Sequence, residues 1–594
     1  MKEFLKYTLA TVTGILLTTL VLFFIIAGVI GAMVSSVEKT VVVENNSMLM
    51  LKLDHQIVDR APRDPFSELN IPGLSQARKT GLDDILTAID KARDDDRIKC
   101  IYIEASVMNA GMAAVEEIRN ALQAFRDSSD KPVYVYGDMF DQLAYYLATA
   151  ADKIVLNPRG VMDFRGLGGE VSFYKNALEK LGVEVQVVRH GKFKAAVEPY
   201  MLEEMSPENR EQRLVYLQSM WNHMLSGISG ERELPVEKLN ALADQVLTFR
   251  KAEEVLAAGL VDTLKYKDQV LDDLRAITGT APKKGIPLVT VTDYARAPLP
   301  KAAKKGSFSR NKIAVIYASG EIGNAMMVGS EGINGAKLSR EIRKVRQDSS
   351  YKAIVLRIDS PGGSAYDSEV IWREVKLAAD EKVVVASMGN VAASGGYYIA
   401  CAADKILAHP NTITGSIGIF GLIPNAGKLM EDKLGITTDV VKTNEHADMP
   451  SLVRPMTDFE RNLMQSYIEE GYALFVTRVA DGRKMAFSAV DSIGQGRVWS
   501  GENALQIGLV DELGGLDEAI REAAEMAGLE NYRVVKLPEL ADPFTEMLKG
   551  GTDNARTWFL RHELGEAYTH YEQISRLKNM NGIYARLPYD VVIH

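Results

Sequence analysis

Tyr145–Ile154 reads YYLATAADKI and Tyr397–Ile406 reads YYIACAADKI, identical at eight of ten positions. Self-similarity of this kind marks a duplicated unit and fixes the architecture before any motif is weighed. The likeness continues downstream in the same order. LEKLGVEVQVV, ending at Val188, parallels MEDKLGITTDVV, ending at Val441, and AAGLVDTL, ending at Leu264, parallels QIGLVDEL, ending at Leu513. Within the second copy, the short β-branched runs KIAVIYA (from Lys312), KAIVLRI (from Lys352) and KVVVASM (from Lys382) read as buried strands, with SEVIWREVKLAAD (Ser368–Asp380) as a helix between the last two. This alternation is βαβ grammar, which requires a parallel sheet covered by helices and joined by right-handed crossovers. The expected fold class is therefore α/β, as two tandem domains.

Outward from the repeat, the chain divides into five expected parts. Residues 1–46 are an N-terminal anchor, 47–280 the first domain, 281–311 a linker rich in proline and lysine, 312–537 the second domain, and 538–594 an extension with no partner in the first half. The extension includes the amphipathic-looking WFLRHELGEAYTHYEQISRL, for which the sequence suggests no role. A chain of 594 residues exceeds one hydrophobic core, in agreement with duplication. Hydrophobic residues at 46% and charged residues at 25% describe an ordinary globular composition. The net charge of −10 lacks the clustered cations that replace phosphate counterions, so no nucleic-acid partner is expected. Cys100 and Cys401 are the only cysteines, which excludes a disulfide framework and a Cys-rich metal site and suggests two ordinary buried thiols.

From Tyr7 to Val37 there is no charged side chain, a run long enough to cross a hydrocarbon core as a helix. Lys2 and Lys6 precede it and Glu38 follows, which places the N-terminus in the cytoplasm and the bulk of the chain outside. The run is longer than a secretory h-region and lacks an A-x-A site, so an uncleaved anchor is expected rather than a signal peptide.

Three motifs could carry chemistry. Ser394 lies where a strand ending near Met388 gives way, through small residues, to helical spacing from Gly395. Exposed geometry and the positive end of a helix suit a nucleophile, although an N-cap serine has the same local sequence. Gly362 and Gly363, between a strand and the next helix, permit backbone amides to point inward as oxyanion donors, and equally make an ordinary turn. Lys194 sits among Phe193, Ala195, Ala196 and Val197, and desolvation by such neighbours is what lets a lysine act as a base; Lys192 is the alternative. The repeat ties these together. The first-half position matching Ser394 is Gln142, and the second-half position matching Lys194 is Ala447. Each half carries what the other lacks, as when a joint site is divided between copies.

GNVAASGGYYIACAADKI, DSPGGSAYDSE, TGSIGIFG and HGKFKAAVEP together resemble the long form of the signal peptide peptidase A family, also called protease IV, over nearly the whole chain. The resemblance implies a Ser/Lys peptidase on the crotonase-like fold shared with Clp protease, degrading signal peptides left in the membrane after secretion. It implies Ser394 as nucleophile, Lys194 as general base, Gly363 and the Gly395 amide as oxyanion donors, and Ser416 as the group that orients the lysine. It also implies a homotetrameric bowl with sites where N-terminal and C-terminal domains meet. One departure is Arg189-His190 ahead of the glycine and Ala195 after the lysine, where the family often has serine.

Other readings have specific costs. A hydratase or carboxyltransferase acting on acyl-CoA would share the sheet but needs no serine and would find no acyl-CoA outside the membrane. A non-catalytic scaffold would be indifferent to replacing Ser394. His190, His409 and His446 lie in no nucleophile–base context, and no G-x-S-x-G elbow surrounds Ser394. With no H-E-x-x-H, C-x-x-C or P-loop, no metal or nucleotide cofactor is expected, and hydrolysis should be ATP-independent.

Overall fold

The computed structural model describes residues 2–37, 41–61, 79–298, 309–323, 332–540, 571 and 582–586. After an N-terminal helix, Lys2–Val37, each half of the chain builds one sheet. The first has six strands, all parallel, with Ser47–Lys52, Ile98–Ala105, Val133–Phe140 and Lys153–Met162 at its centre. The second has eight, centred on Lys312–Ser319, Tyr351–Ser360 and Val383–Ala393, and is parallel except where Val498–Ser500 closes one edge. Near-continuous burial along the central strands is what a sheet covered on both faces demands.

The duplicated motifs turn out to be mutual fasteners. The Tyr145 hydroxyl donates to the carbonyl of Leu260, and the Tyr397 hydroxyl to that of Leu509, so the Tyr-Tyr segment and the GLVD segment hold each other in both halves. The aspartate of each ADKI caps a neighbouring strand, Asp152 accepting from the Val133 amide and Asp404 from the Val384 amide, both at 2.8 Å. The aspartate of each GLVD accepts from the isoleucine of ADKI. Buried backbone donors at strand starts must find partners, and a carboxylate at these positions supplies one.

Three differences from the sequence expectations bear on the site. The strand expected to end near Met388 runs on to Ala393, because the half-buried Asp359 carboxylate accepts from the Val391 amide and from Asn390 across a register shift. The expected linker is partly structured: Leu288–Thr290 is the edge strand beside Ser47–Lys52, and Val291–Arg296 is a helix. Burial of Val289, Val291 and Tyr294 in the first core draws this segment in, and residues 299–308 of the linker lie outside the described residues. In the expected extension, the helix-like stretch lies outside the described residues apart from Tyr571, whereas Gly582–Arg586 is a strand.

That strand belongs to a third sheet that straddles the halves. Glu184–Arg189, from the first half, pairs antiparallel with Phe420–Asn425 of the second from Arg189 opposite Phe420 to Glu184 opposite Asn425. A buried ionic cluster joins the halves elsewhere. Arg357 reaches Asp59 at 3.0 Å and Glu117 at 2.5 Å, and His409 lies 3.2 Å from Glu117.

Candidate active site

Ser394 stands between the strand Val383–Ala393 and the helix Gly395–Ala400, with φ +55° and ψ −114°. A non-glycine residue at positive φ costs about 1–3 kcal/mol and persists only where its surroundings impose it. Here the imposition is visible: the Ser394 amide donates to the Gly415 carbonyl at 2.8 Å, and its own carbonyl accepts from the Tyr398 amide at 2.8 Å. The side chain makes no cap hydrogen bond, so the N-cap reading fails. It turns instead toward the first half.

The Lys194 ammonium nitrogen lies 2.8 Å from Ser394 Oγ, 3.0 Å from Ser416 Oγ and 3.2 Å from the Ser416 carbonyl oxygen. Lys194, Ser394 and Ser416 are all fully buried. Desolvation holds the Lys194 pKa well below the ordinary lysine value, the cause expected from its apolar neighbours. A neutral amine has two N–H groups and one lone pair. The two Ser416 oxygens can take the N–H groups, which leaves the lone pair for the Ser394 proton.

Lys194 reaches Ser394 because the third sheet carries it across. After Arg189 the chain turns into the loop that ends at Lys194, and this loop is fastened to the second half at several points. The His190 amide donates to the Ile419 carbonyl, the Phe193 amide donates to the Gln495 carbonyl, and the Gln212 side chain bridges the Phe193 carbonyl and the Val498 amide, while within the loop the Arg189 guanidinium donates to the Lys194 carbonyl. Gly496, at φ +84°, allows the closest approach: a Cβ there would fall 2.6 Å from the backbone nitrogen and Cα of Lys194. Gly418 lies against the Lys194 side chain, where a Cβ would fall 3.2 Å from Cδ. The sequence reading missed Gln212, Gly418 and Gly496. The repeat held a signal for the last, since aligning the halves on GLVD sets Gly496 opposite Leu247, a glycine present only where a lysine must pass. The alternative base, Lys192, lies over the Phe193 ring and makes no contact with Ser394.

The two expected oxyanion glycines stand on adjoining segments. Gly395 opens the helix after Ser394, and Gly363, in the short strand Gly362–Ser364, pairs with Ile322 on one side and Ala585 on the other. Gly362 is the closer neighbour of the Gly395 amide: a Cβ on it would come within 2.7 Å of that nitrogen. Of the departures noted in the sequence, His190 stacks on Tyr472 at 4.0 Å, and Ala195 is buried. The counterparts in the opposite halves are otherwise engaged. Gln142 knits its own loop by bonding Arg165 and Gly166, and Ala447 is exposed. Cys100 and Cys401 are buried and unpaired, burial pushing both thiols up to about 12.

Parallel α/β domains in tandem, meeting at a buried serine in hydrogen-bond contact with a lysine, have the architecture of a serine hydrolase. The chain belongs to peptidase family S49, whose model matches residues 125–279 and 376–530, one stretch in each half, and it is a serine peptidase of that family. It is 35% identical over 502 residues to Protease 4 of Haemophilus influenzae, covering 82% of this chain and 80% of that one. It is 38% identical over 469 residues to Protease 4 of Salmonella typhi, covering 77% and 74%. Among solved structures, a ClpP1 point mutant from Listeria monocytogenes aligns with 35% of this chain and 94% of its own at 15% identity, with a TM-score of 0.24.

Proposed function

We propose that Ser394 is the nucleophile and Lys194 the general base of this peptidase, and that its substrates are extended apolar peptides, remnant signal peptides among them, cleaved at the outer face of the cytoplasmic membrane. The observation that carries the proposal is the 2.8 Å contact between a fully buried amine of lowered pKa and a strained serine hydroxyl. Neutral Lys194 takes the Ser394 proton as Oγ attacks the scissile carbonyl, and then gives it to the departing amine. Water, deprotonated by the same lysine, hydrolyses the acyl-enzyme. The amides of Gly363 and Gly395 face the developing oxyanion, and Ser416 holds the lysine in line.

Extended substrates are supported by the strands Gly362–Ser364 and Phe420–Asn425, each of which pairs antiparallel with the extended segment Gly582–Arg586 and so can hold a peptide by its main chain. The membrane location is supported by the apolar helix, of which Lys6–Phe24 has mean hydropathy 1.9; that helix fits an anchor or a signal sequence, and the anchor is the reading we adopt. Membership of a homotetramer is part of the proposal. It is supported by a break in the repeat. The strand Glu184–Arg189 corresponds to residues 437–442, and Phe420–Asn425 to residues 167–172, yet neither counterpart is in a described sheet ladder. Val440 is 46% and Val441 98% exposed, as edges awaiting the matching strand of a second copy would be.

The test compares the anchor-free wild type with Ser394→Ala and Lys194→Ala on a fluorogenic apolar peptide. Loss of roughly 10⁴-fold or more in kcat for both, with folding intact, is the expected outcome. Full activity in Ser394→Ala would remove the nucleophile assignment.

A further inference from the structure

The turn 494–497 grips the segments on both sides of the Lys194 amine. On one side the Gln495 carbonyl accepts from the Phe193 amide at 3.1 Å, and a Cβ on Gly191 would fall 2.5 Å from the same carbonyl oxygen. On the other, the Gly496 amide donates to the Ile417 carbonyl at 2.7 Å, and the Arg497 carbonyl accepts from the Ser416 amide at 2.6 Å. The separation between Lys194 and Ser416 is therefore set by one turn. Its backbone is under constraint: Gln495 has φ +52°, a region that a residue with a side chain keeps only where its surroundings impose it.

We propose that Tyr472 is a positioning residue for the reaction, which imposes this turn and through it fixes the place of the Lys194 amine. The inference rests on Ser394 and Lys194 acting as the catalytic dyad. Tyr472 stands on the helix Asp458–Arg483 and is buried. Its hydroxyl donates to the Asp491 carboxylate at 2.5 Å and accepts from the Gln495 amide at 3.0 Å. The face of its ring stacks on His190, where the Lys194 loop begins, at 4.0 Å and 22°. One side chain thus holds both the loop that carries the lysine and the turn that closes over it.

Comparison of the halves separates this role from ordinary packing. The helices Pro207–Arg232 and Asp458–Arg483 are each 26 residues long, and Trp221 stands in the first where Tyr472 stands in the second. The Trp221 indole nitrogen donates to the Asn240 side chain at 2.8 Å, and Asn240 matches Asp491 as the fifth residue of its helix, Val236–Ala243 against Phe487–Ile493. Both halves therefore fasten an aromatic donor to a following helix. An indole N–H can only donate, whereas a phenol oxygen donates and accepts at once. The Val246 amide, counterpart of Gln495 at φ +51°, bonds instead to the Ala243 carbonyl, in the half where Leu247 replaces the glycine that lets Lys194 pass. The acceptor is present only where the turn must hold a lysine.

Steady-state kinetics of the purified full chain on the fluorogenic apolar peptide, across pH, test this. Tyr472→Phe, which removes only the oxygen, should lower kcat about 10- to 100-fold with KM within about twofold. It should also move the acid limb of kcat/KM to higher pH, because a loosened turn admits water to an amine whose pKa burial keeps low. The charged groups on the elements packed around Lys194 are engaged away from its amine: Arg189 bonds the Lys194 carbonyl, Lys192 lies over the Phe193 ring, Glu198 accepts from Asn209, and Arg497 pairs with Glu211. His190 keeps its stacking partner in Tyr472→Phe, so the limb reports the lysine. Trp221→Phe, the matching change in the first half, should leave kcat and the acid limb as in wild type. Wild-type kcat in Tyr472→Phe overturns the proposal, as does a lowered kcat with an unmoved acid limb, an effect confined to KM, or an equal loss in Trp221→Phe. Should Tyr472→Phe fail to fold, Asp491→Ala, which leaves the hydroxyl unanchored, decides in its place: kcat falling by about 10-fold at constant KM upholds the role and wild-type kcat overturns it. Lys194→Ala in the same assay separates the two readings. Full activity there removes the dyad and the role of Tyr472 with it, whereas an inactive Lys194→Ala beside a normal Tyr472→Phe removes the role of Tyr472 alone.

Discussion

Lys194 and Ser394 are both held in states that an isolated residue would avoid. For the lysine, burial favours the uncharged form. Its folded pKa is lowered by burial, so between that value and the ordinary 10.5 the unfolded chain binds a proton that the folded chain does not, and stability rises with pH across the interval. Replacing the amine removes that penalty: Lys194→Met should be inactive and melt no lower than wild type at neutral pH, and its advantage should shrink as pH approaches 10.5, as calorimetry at several pH values would reveal. Activity should follow the same group in the same direction, kcat/KM climbing from acid through neutral pH and levelling once Lys194 is deprotonated, while Lys194→Arg, which cannot lose its proton, should abolish turnover. For the serine the state is a strained backbone. Ser394→Gly should therefore exceed Ser394→Ala in stability by about 1–3 kcal/mol, measured by denaturant unfolding, although both are inactive.

At the scale of elements, the site depends on one loop passing between two glycines. A methyl group at Gly496 cannot coexist with Lys194 in its present place, because the contacts it would meet are backbone rather than a flexible side-chain end. Gly496→Ala should displace the amine by a fraction of an ångström to an ångström and lower kcat by about 10²-fold, with KM for a fluorogenic peptide changed far less. The other element-level prediction concerns residues 437–442, whose first-half counterpart is paired. Lysines at Val440 and Val441 should disrupt an edge-to-edge pairing between copies, so the double variant should shift toward monomer in sedimentation velocity without losing its thermal transition.

For the whole molecule, the halves are joined by the third sheet and by the buried cluster around Arg357. Burial alone would raise the Glu117 carboxyl, but the Arg357 guanidinium and His409 hold it down to about 2. A carboxyl so depressed contributes its full stability above its unfolded value of 4.5 and loses it as pH falls from 4.5 toward about 2. Acid unfolding of the anchor-free protein should begin in that window, and Glu117→Ala, which breaks one arm of the buried cluster and leaves Arg357 with Asp59 as its carboxylate partner, should cost about 3–5 kcal/mol at neutral pH in equilibrium denaturation.

The duplication, the α/β class and the two residues proposed as the dyad were legible in the sequence, because each leaves a local trace. Repeated motifs align, buried parallel strands are uniformly apolar, and complementary losses show which half carries which group. Local sequence also sufficed to mark Gly362 and Gly363 as candidates, since turns have short signatures, whereas Gly395 and Ser416 entered only through the family resemblance. What only the tertiary structure decided are the relations between distant segments. That Lys194 meets Ser394 of the same chain, that Gly496 makes room for it, that residues 288–296 join the first domain rather than a linker, and that Gly582–Arg586 lies between the Gly362–Ser364 and Phe420–Asn425 strands all rest on pairing and close packing across hundreds of residues. Such contacts are specified by shape and register between surfaces, and no periodicity within either partner records which surface it will meet.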